Sequence, residues 1–179
     1  FNTFLLPPHG DNLLSIIENN IDLKKEIGEI FSQYGLEFVI YKKGNAFEIQ
    51  KNQDGIVNKY NYTSIADTFQ RFIFYLAVID SNNNSCIVLE EPEVHSFPPY
   101  TKELSDRIID STENQFFITT HSPYLLENLI SNLDYSELNL SIAYYEDYET
   151  KLYSLTQEDL KRASDFGIDL FYNLDEFIK

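Results

Sequence analysis

Apolar residues near the start of the chain recur at the spacing of a helix. Between Leu13 and Tyr34 this spacing is interrupted at Asn19-Asn20, so the segment predicts a pair of helices. Asp22 is predicted to be the N-cap of the second helix, and Gly35 is predicted to stop it.

The pattern then changes to the period of a strand. Short alternating segments at 37–41, 46–51 and 56–60 are separated by Lys43-Gly44-Asn45 and by Asp54-Gly55, which are both turn sequences. These segments predict a small antiparallel meander.

A parallel α/β unit is predicted further along the chain. Helical spacing returns over 67–79 and leads through a polar loop into 86–89, a run that is apolar on both faces, as in a buried parallel strand. A helix entered through Pro98-Pro99 and ending near Ser111 separates it from a second apolar strand at 115–119. This order of elements predicts parallel strands with flanking helices.

The remaining sequence returns to shorter elements. It predicts a helix at 124–130, a hairpin formed by 138–145 and 151–155, and a last helix that Thr156 caps and that runs to Ala163. For 165–179 the pattern predicts no element.

Composition indicates a folded and acidic protein. Apolar residues make up 43% of the chain, and 13 basic against 29 acidic side chains give a formal net charge of −16. Such a surface repels nucleic-acid backbones, so direct DNA binding by this segment is not expected. Cys86, the one cysteine, is predicted to be a buried core residue. Without a signal-peptide pattern or an apolar run of about 18 residues, we expect a soluble, cytoplasmic protein with no membrane contact.

Two adjacent carboxylates, Glu90 and Glu91, end the first apolar strand. Like charges in low dielectric are unfavourable unless a cation or a proton transfer makes use of them. In phosphoryl transfer one carboxylate commonly anchors Mg²⁺ while a neighbour polarises the attacking water. The alternative is a strand that reaches the surface and ends in solvated acids.

A histidine follows the second apolar strand. His121 lies between Thr120 and Ser122, and open α/β sheets bind ligands at the carboxyl ends of their strands. Alone, it would be taken as a structural histidine. One strand–helix–strand unit away from two carboxylates, it becomes a candidate to contact a γ-phosphate or to orient the catalytic water.

These two segments resemble a known family. Residues 87–95, with the sequence IVLEEPEVH, are followed by Phe97-Pro98 and resemble the Walker B and D-loop region of ABC-type ATPases. The likeness is greatest to the soluble AAA-labelled group related to chromosome-maintenance, DNA-repair and overcoming-lysogenization ATPases. Residues 116–123, with the sequence FFITTHSP, resemble the H-loop of that group. The resemblance covers the region from Asn61 to Leu133 and implies a P-loop ATPase that uses ATP as substrate and Mg²⁺ as cofactor.

The resemblance also implies a role for each matching residue. Glu90 stands where the family usually has its magnesium-associated aspartate, Glu91 stands at the general base, and His121 stands at the switch histidine. Glu93 and His95 fall in the D-loop, which crosses the dimer interface in relatives. Because glutamate is one methylene longer than aspartate, Glu90 departs from the usual geometry of Mg²⁺ contact. The spacing of Glu93 and His95 also leaves a separate metal site open.

The ABC signature would lie at the start of the helix before Walker B. In relatives a serine and a glycine there hold the γ-phosphate of the nucleotide bound to the partner subunit, whereas this chain has Ala66 and Thr68. The alternative is an ordinary helix N-terminus with an acidic residue near its positive end. Four residues nearby are candidates to bind nucleotide in place of the usual pair: Ser64, Asp67, Gln70 and Arg71.

The sequence contains no phosphate-binding loop of the Gly-x-x-x-x-Gly-Lys-Ser/Thr type around any of its six glycines. In the family this loop lies N-terminal to all the motifs seen here, so we expect the C-terminal part of an ABC-type ATPase domain that binds ATP poorly by itself. Residues 1–60 would be a helical and β-meander segment, and residues 61–179 would be the C-terminal part of the ATPase core. The predicted fold class is α/β.

The resemblance implies Mg²⁺-dependent ATP hydrolysis at sites completed between two copies of the chain, with an effector protein as a possible further partner. The alternative, motivated by the altered signature and by Glu90, is a non-catalytic nucleotide sensor or scaffold of a DNA-repair or phage-defence complex. A third hypothesis, a nucleic-acid processing factor, rests on the family alone.

Overall fold

The computed structural model describes residues 2–178. Its helices are α1 (Leu13–Asn19), α2 (Ile21–Ser32), α3 (Asp67–Ser81), α4 (Pro98–Asp110), α5 (Pro123–Asn132) and α6 (Gln157–Phe166). Its strands are β1 (Glu37–Tyr41), β2 (Ala46–Gln53), β3 (Ile56–Asn61), β4 (Cys86–Glu90), β5 (Gln115–Thr119), β6 (Ser141–Glu146) and β7 (Glu149–Ser154). Within the described residues, no helix has the length and apolar character needed to cross a membrane.

The two N-terminal helices are separated by Asn20 alone. The Asn20 side chain accepts a hydrogen bond from the Leu23 amide at 3.0 Å and so caps α2. The prediction that Asp22 is the cap was wrong, because Asp22 already lies in the first turn of α2, where its charge favours the positive end of the helix. Gly35 follows α2 with a φ of +68°, a conformation that suits glycine and turns the chain into β1.

The predicted meander is confirmed as an antiparallel sheet with β2 in the centre. Aromatic side chains attach it to the helices: the Phe38 ring stacks on Phe31 of α2 at 5.7 Å between centroids and lies 5.1 Å from Phe47 of β2. Ile49 is buried in the same cluster, whereas every residue of β3 is exposed. The meander therefore packs against the helices through β1 and β2 only.

The predicted parallel unit is also confirmed. β4 and β5 pair in parallel with Leu89 opposite Ile118 and Glu90 opposite Thr119, and α4 connects them. The face that carries Ile87 and Leu89 packs against apolar side chains of α3, α4 and α5. This packing fixes the plane of the sheet relative to the three helices.

The opposite face of the β4–β5 sheet is exposed, which corrects one expectation. Val88 and Phe117 are 73% and 54% exposed, and the Cys86 thiol is exposed as well. The prediction of a strand buried on both faces, with Cys86 in the core, was wrong. Successive side chains of a strand point to opposite faces, and the helices of the described chain cover only one of them.

The C-terminal part contains a hairpin and a helix. β6 and β7 are joined by the two residues Asp147 and Tyr148, both at positive φ, so the turn is shorter than predicted. Thr156 caps α6 as predicted, and it forms a capping box with Asp159. The segment after α6, for which no element was predicted, contributes Leu170 and Phe177 to the core beneath the hairpin.

Buried apolar residues form three clusters: one around α1, α2, β2 and α3, one beneath β4 and β5, and one at the C-terminal hairpin. The first cluster contains residues from both sides of position 60, namely Ile49 and Phe72 among others. The division of the chain at residue 60 stays a prediction.

Arg107 of α4 connects three helices through two carboxylates. Its guanidinium donates to the two carboxylate oxygens of Glu26 in α2 at 2.5 and 2.6 Å, and it lies 3.5 Å from Asp80 of α3. All three side chains are partly buried. Burial raises the pKa of Asp80, and the positive charge of Arg107 acts in the opposite direction. This network anchors the helix that joins β4 to β5.

Replacing Arg107 with alanine should lower the free energy of unfolding by about 2 kcal/mol, because two partly buried carboxylates lose their partner. Without the guanidinium, the pKa of Asp80 rises further above its ordinary value. The folded state then binds a proton more readily than the unfolded chain, so stability falls as the pH rises through that window. Urea unfolding should therefore show a larger loss at about pH 7 than at about pH 4.

The matched control is Lys102→Ala, which removes an exposed ion pair with Asp106 on the same helix and should have little effect. An equal loss of stability in both variants would contradict a special role of the Arg107 network.

Candidate functional site

The polar residues that end β4 and β5 lie side by side at one edge of the sheet. Glu90 is opposite Thr119, and the Glu91 amide continues the ladder by donating to the Thr119 carbonyl oxygen at 2.9 Å. Because the strands are parallel and in this register, the residues that follow each strand leave the sheet together. Glu90, Glu91 and His121 are thereby brought to the same edge.

Glu91 and His121 are in direct contact. Oε1 of Glu91 lies 3.2 Å from Nε2 of His121, and the two side chains are 41% and 81% exposed. A carboxylate and an imidazole at this distance can hold a proton between them or present two polar groups to one ligand atom. The pair is open to solvent and therefore accessible to a ligand.

The backbone reverses direction at Glu91. Its φ of +42° lies in the left-handed region, and the Val94 amide donates to the Glu91 carbonyl oxygen at 3.0 Å to close a turn. This conformation costs a non-glycine residue about 1 kcal/mol, and Pro92 restricts it further. The strained turn directs the Glu91 carboxylate to His121 instead of continuing the strand.

Glu90 is the last residue of β4 and is exposed. Mg²⁺ usually takes one or two protein carboxylates and completes its shell with phosphate oxygens and water. Glu90 fits the part of such a carboxylate. Over residues 2–178, no group of three or more His, Cys, Asp or Glu side chains is arranged to hold a metal ion, and that includes the surroundings of Glu93 and His95.

The two D-loop candidates have different surroundings. Glu93 reaches across to the loop after β5, where its Oε1 accepts hydrogen bonds from the Thr120 hydroxyl and the His121 amide, both at 2.7 Å. His95 is exposed with a φ of +61°, and its carbonyl oxygen accepts a hydrogen bond from the Thr68 hydroxyl at 2.5 Å. Glu93 is therefore part of the Glu91–His121 assembly, whereas His95 is joined to the start of α3.

The signature-like residues surround the start of α3. Arg71 donates to the Asp67 carboxylate at 2.8 Å, and the Gln70 side chain donates to the Ile65 carbonyl oxygen at 3.0 Å. Ser64 is exposed in a short 3₁₀ turn before the helix. Asp67, Gln70 and Arg71 thus bind neighbours within their own segment.

Two residues at the site were missed from the sequence. The sequence marks Thr68 only as a departure from a glycine and Thr120 only as a neighbour of His121. Both act through side-chain hydroxyl groups that bind across sequence gaps of 27 residues. No local pattern marks such a contact, since it depends on how the two loops face each other.

Residues 11–126 match the model of a protein family described as AAA ATPase domain, which is more than half of the chain. Among proteins of curated function, no sequence match was found.

Several solved structures of similar fold are those of SMC proteins. One, from work on ATP-driven dimerization and DNA-stimulated activation of SMC ATPases, is 16% identical with a TM-score of 0.54, and the alignment covers 87% of this chain and 95% of that one. The Smc head domain of Pyrococcus furiosus, bound to the C-terminal domain of ScpA, is 16% identical with a TM-score of 0.51 over 80% of this chain. An Smc head bound to the C-winged helix domain of ScpA is 14% identical with a TM-score of 0.54 over 83% of this chain.

The present chain spans 37% and 49% of those two Smc head chains. At these identities the likeness shows the fold alone, and it confirms the α/β class predicted from the sequence.

Because Glu91 is held at positive φ, Glu91→Gly should stabilise the protein by about 1 kcal/mol relative to Glu91→Ala. Both variants remove the carboxylate, so the difference between them isolates the backbone strain. In an ordinary strand the order is reversed, because glycine loses more backbone entropy on folding than alanine. Thermal unfolding of the two variants measures the difference, and an alanine variant at least as stable as the glycine variant would contradict the strain.

Proposed function

This chain belongs to the AAA ATPase domain family, and from that membership we propose that it forms the Walker B, D-loop and H-loop part of an ATP-hydrolysing site. The observation that carries the proposal is the 3.2 Å contact between Glu91 and His121 at the carboxyl edge of β4 and β5. A carboxylate and an imidazole held at a strand edge are suited to place a water molecule and accept its proton.

In this proposal Glu91 is the general base. Its carboxylate lies on a turn and not on a flexible loop, so it takes the proton from the attacking water without first being ordered. His121 orients that water or contacts the γ-phosphate, and its exposed ring has room for either. Each side chain comes from a different strand end, so the water would be held from two sides.

Glu90 is proposed to hold Mg²⁺. When bound with the nucleotide, the ion supplies positive charge that stabilises the negative charge developing on the phosphate oxygens. Glu90 adjoins the base and is exposed at the end of β4, so it can offer one oxygen to such an ion. Because glutamate has one methylene more than aspartate, the Glu90 carboxylate would contact the ion at a greater distance from the backbone.

The phosphate-binding loop is proposed to come from another segment of the ATPase fold. Parallel sheets are normally covered on both faces, whereas the face with Cys86, Val88 and Phe117 is exposed beside the proposed site. We propose that the segment with the loop covers this face and places its phosphate-binding amides near Glu90 and Glu91.

Two copies of the ATPase domain are proposed to complete each site, with Ser64, Asp67, Gln70 and Arg71 of one copy facing the nucleotide of the other. The Thr68–His95 hydrogen bond joins this region to the D-loop, which supports a shared surface. The Smc heads of similar fold bind ScpA domains, and an effector protein is likewise proposed for this chain.

A nucleotide sensor or scaffold is the second candidate. It is favoured by Ala66 and Thr68 at the signature positions and by the local contacts that occupy Asp67, Gln70 and Arg71. A site that binds nucleotide without a complete signature would hold ATP but turn it over slowly.

Glu91→Gln should lower kcat for phosphate release from Mg-ATP by about 100-fold or more, while ATP still binds. The amide keeps the shape of the side chain but cannot accept the proton. The measurement uses the longest natural polypeptide that contains this sequence, and Glu113→Gln, an exposed glutamate at the other end of β5, is the control. Equal turnover in wild type and Glu91→Gln would contradict the role of Glu91, and ATP binding without turnover in either would favour the sensor.

If the exposed sheet face is covered in the natural polypeptide, the Cys86 thiol should react at least about tenfold more slowly with an alkylating reagent than it does in urea. Mass spectrometry of the Cys86 peptide measures both rates and separates this thiol from any others. Equal rates in the native and unfolded protein would contradict the proposed cover.

A further inference from the structure

Glu93 connects the turn after β4 to the loop after β5. Its Oε1 accepts one hydrogen bond from the Thr120 hydroxyl and one from the His121 main-chain amide, both at 2.7 Å. Hydrogen bonds to a carboxylate are shorter and stronger than those between neutral groups. One oxygen atom therefore fixes the positions of two consecutive residues on the neighbouring loop.

The bonds from Glu93 continue through that loop. The Oγ1 of Thr120 accepts from the Ser122 amide at 2.9 Å, and the Oγ of Ser122 accepts from the Leu125 amide at 3.3 Å in the first turn of α5. The loop is thus joined to β5 at its start, to α5 at its end and to Glu93 in the middle. His121 is placed by the backbone of this loop.

The second oxygen of Glu93, Oε2, is enclosed by protein and has no hydrogen-bond partner among residues 2–178. An enclosed polar atom without a partner costs free energy, and the cost is larger for a charged group. Burial of Oε2 without a partner therefore reduces what Glu93 contributes to the free energy of unfolding. The arrangement instead favours a role that depends on a strong acceptor at Oε1.

The same turn also places Glu91. The Val94 amide donates to the Glu91 carbonyl oxygen at 3.0 Å, and the Ser96 amide donates to the Glu93 carbonyl oxygen at 2.8 Å. One turn therefore carries the Glu91 carboxylate and, two residues on, the carboxylate that holds the His121 backbone. The relative position of the two contacting side chains depends on that turn.

We propose that Glu93 is a positioning residue that holds the His121 loop against Glu91. It acts through the His121 backbone, and it contacts neither water nor nucleotide in the reaction. This inference rests on the proposed function, since the value of the 3.2 Å contact depends on what the Glu91–His121 pair does.

Hydrogen–deuterium exchange tests the contact without reference to activity. In the longest natural polypeptide, Glu93→Ala should speed exchange of the His121 amide by about tenfold or more, because its acceptor is lost. Glu93→Gln keeps a carbonyl oxygen in place and should restore part of the protection. Glu113→Ala, an exposed glutamate beyond the opposite end of β5, should leave that amide unchanged.

Kinetics test whether the contact matters to turnover. Glu93→Ala should lower kcat for ATP by about tenfold with KM changed less than about twofold, and Glu93→Gln should lie between it and wild type. In a double-mutant cycle, adding Glu93→Ala to His121→Ala should cost little more than His121→Ala alone, because both changes disable the same group.

Unchanged exchange at His121 in a folded Glu93→Ala variant would overturn the proposal, as would losses in kcat that multiply in the double variant. If the wild type does not hydrolyse ATP, the proposed function fails, and the exchange measurement still decides whether Glu93 holds the loop. Should Glu93→Ala not fold, Glu93→Gln takes its place: it keeps the shape of the side chain but removes the charge that strengthens the bond, so a smaller rise in exchange at His121 is expected, and unchanged exchange counts against the proposal.

Discussion

The parallel register between β4 and β5 is the constraint on which the site depends. Leu89 pairs with Ile118 and Glu90 with Thr119, so the two strands end at the same level and their following residues share one edge. A shift of one residue would turn each side chain to the other face of the sheet and separate the carboxylates from the imidazole. The register is held by the apolar face packed against α3, α4 and α5. Packing at one face of the sheet therefore sets the geometry of polar groups at its edge.

Past this edge, the chain accepts unfavourable local conformations and uses them to aim side chains. Glu91 and His95 both have positive φ within one short turn, and Oε2 of Glu93 is buried without a hydrogen-bond partner among the described residues. Each of these features costs free energy, and all lie between the end of β4 and the start of α4. The hydrophobic clusters on either side supply the stability that keeps such a turn in a single conformation. The contrast between a regular sheet and an irregular turn is typical of sites in which position matters more than stability.

The sequence was sufficient to predict the elements and their order, because periodicity and turn residues are local properties. It correctly indicated the meander, the parallel pair and the cap at Thr156. It failed for Asp22 because Asn20 and Asp22 are both of a residue type that caps helices, and Asn20 is the one that caps α2. It failed for Cys86 because apolar residues on both faces of a strand show that burial is favourable and not that a covering layer is present. The sequence could not predict the contacts of Thr68 and Thr120 for a different reason: each contact joins segments that are distant in sequence.

The chemistry at this edge is encoded in one uninterrupted stretch of the gene. Glu91, Glu93, Thr120 and His121 all lie between the start of β4 and the end of α5, and every contact among them is made within that strand–helix–strand–helix stretch. Recombination that exchanges this stretch would transfer the acid, the imidazole and the bonds between them in one step. Recombination that breaks within α4 would instead pair a turn from one parent with a loop from another. The Glu91–His121 edge is therefore expected to be inherited as a unit, with crossovers between Glu93 and Thr120 tolerated least.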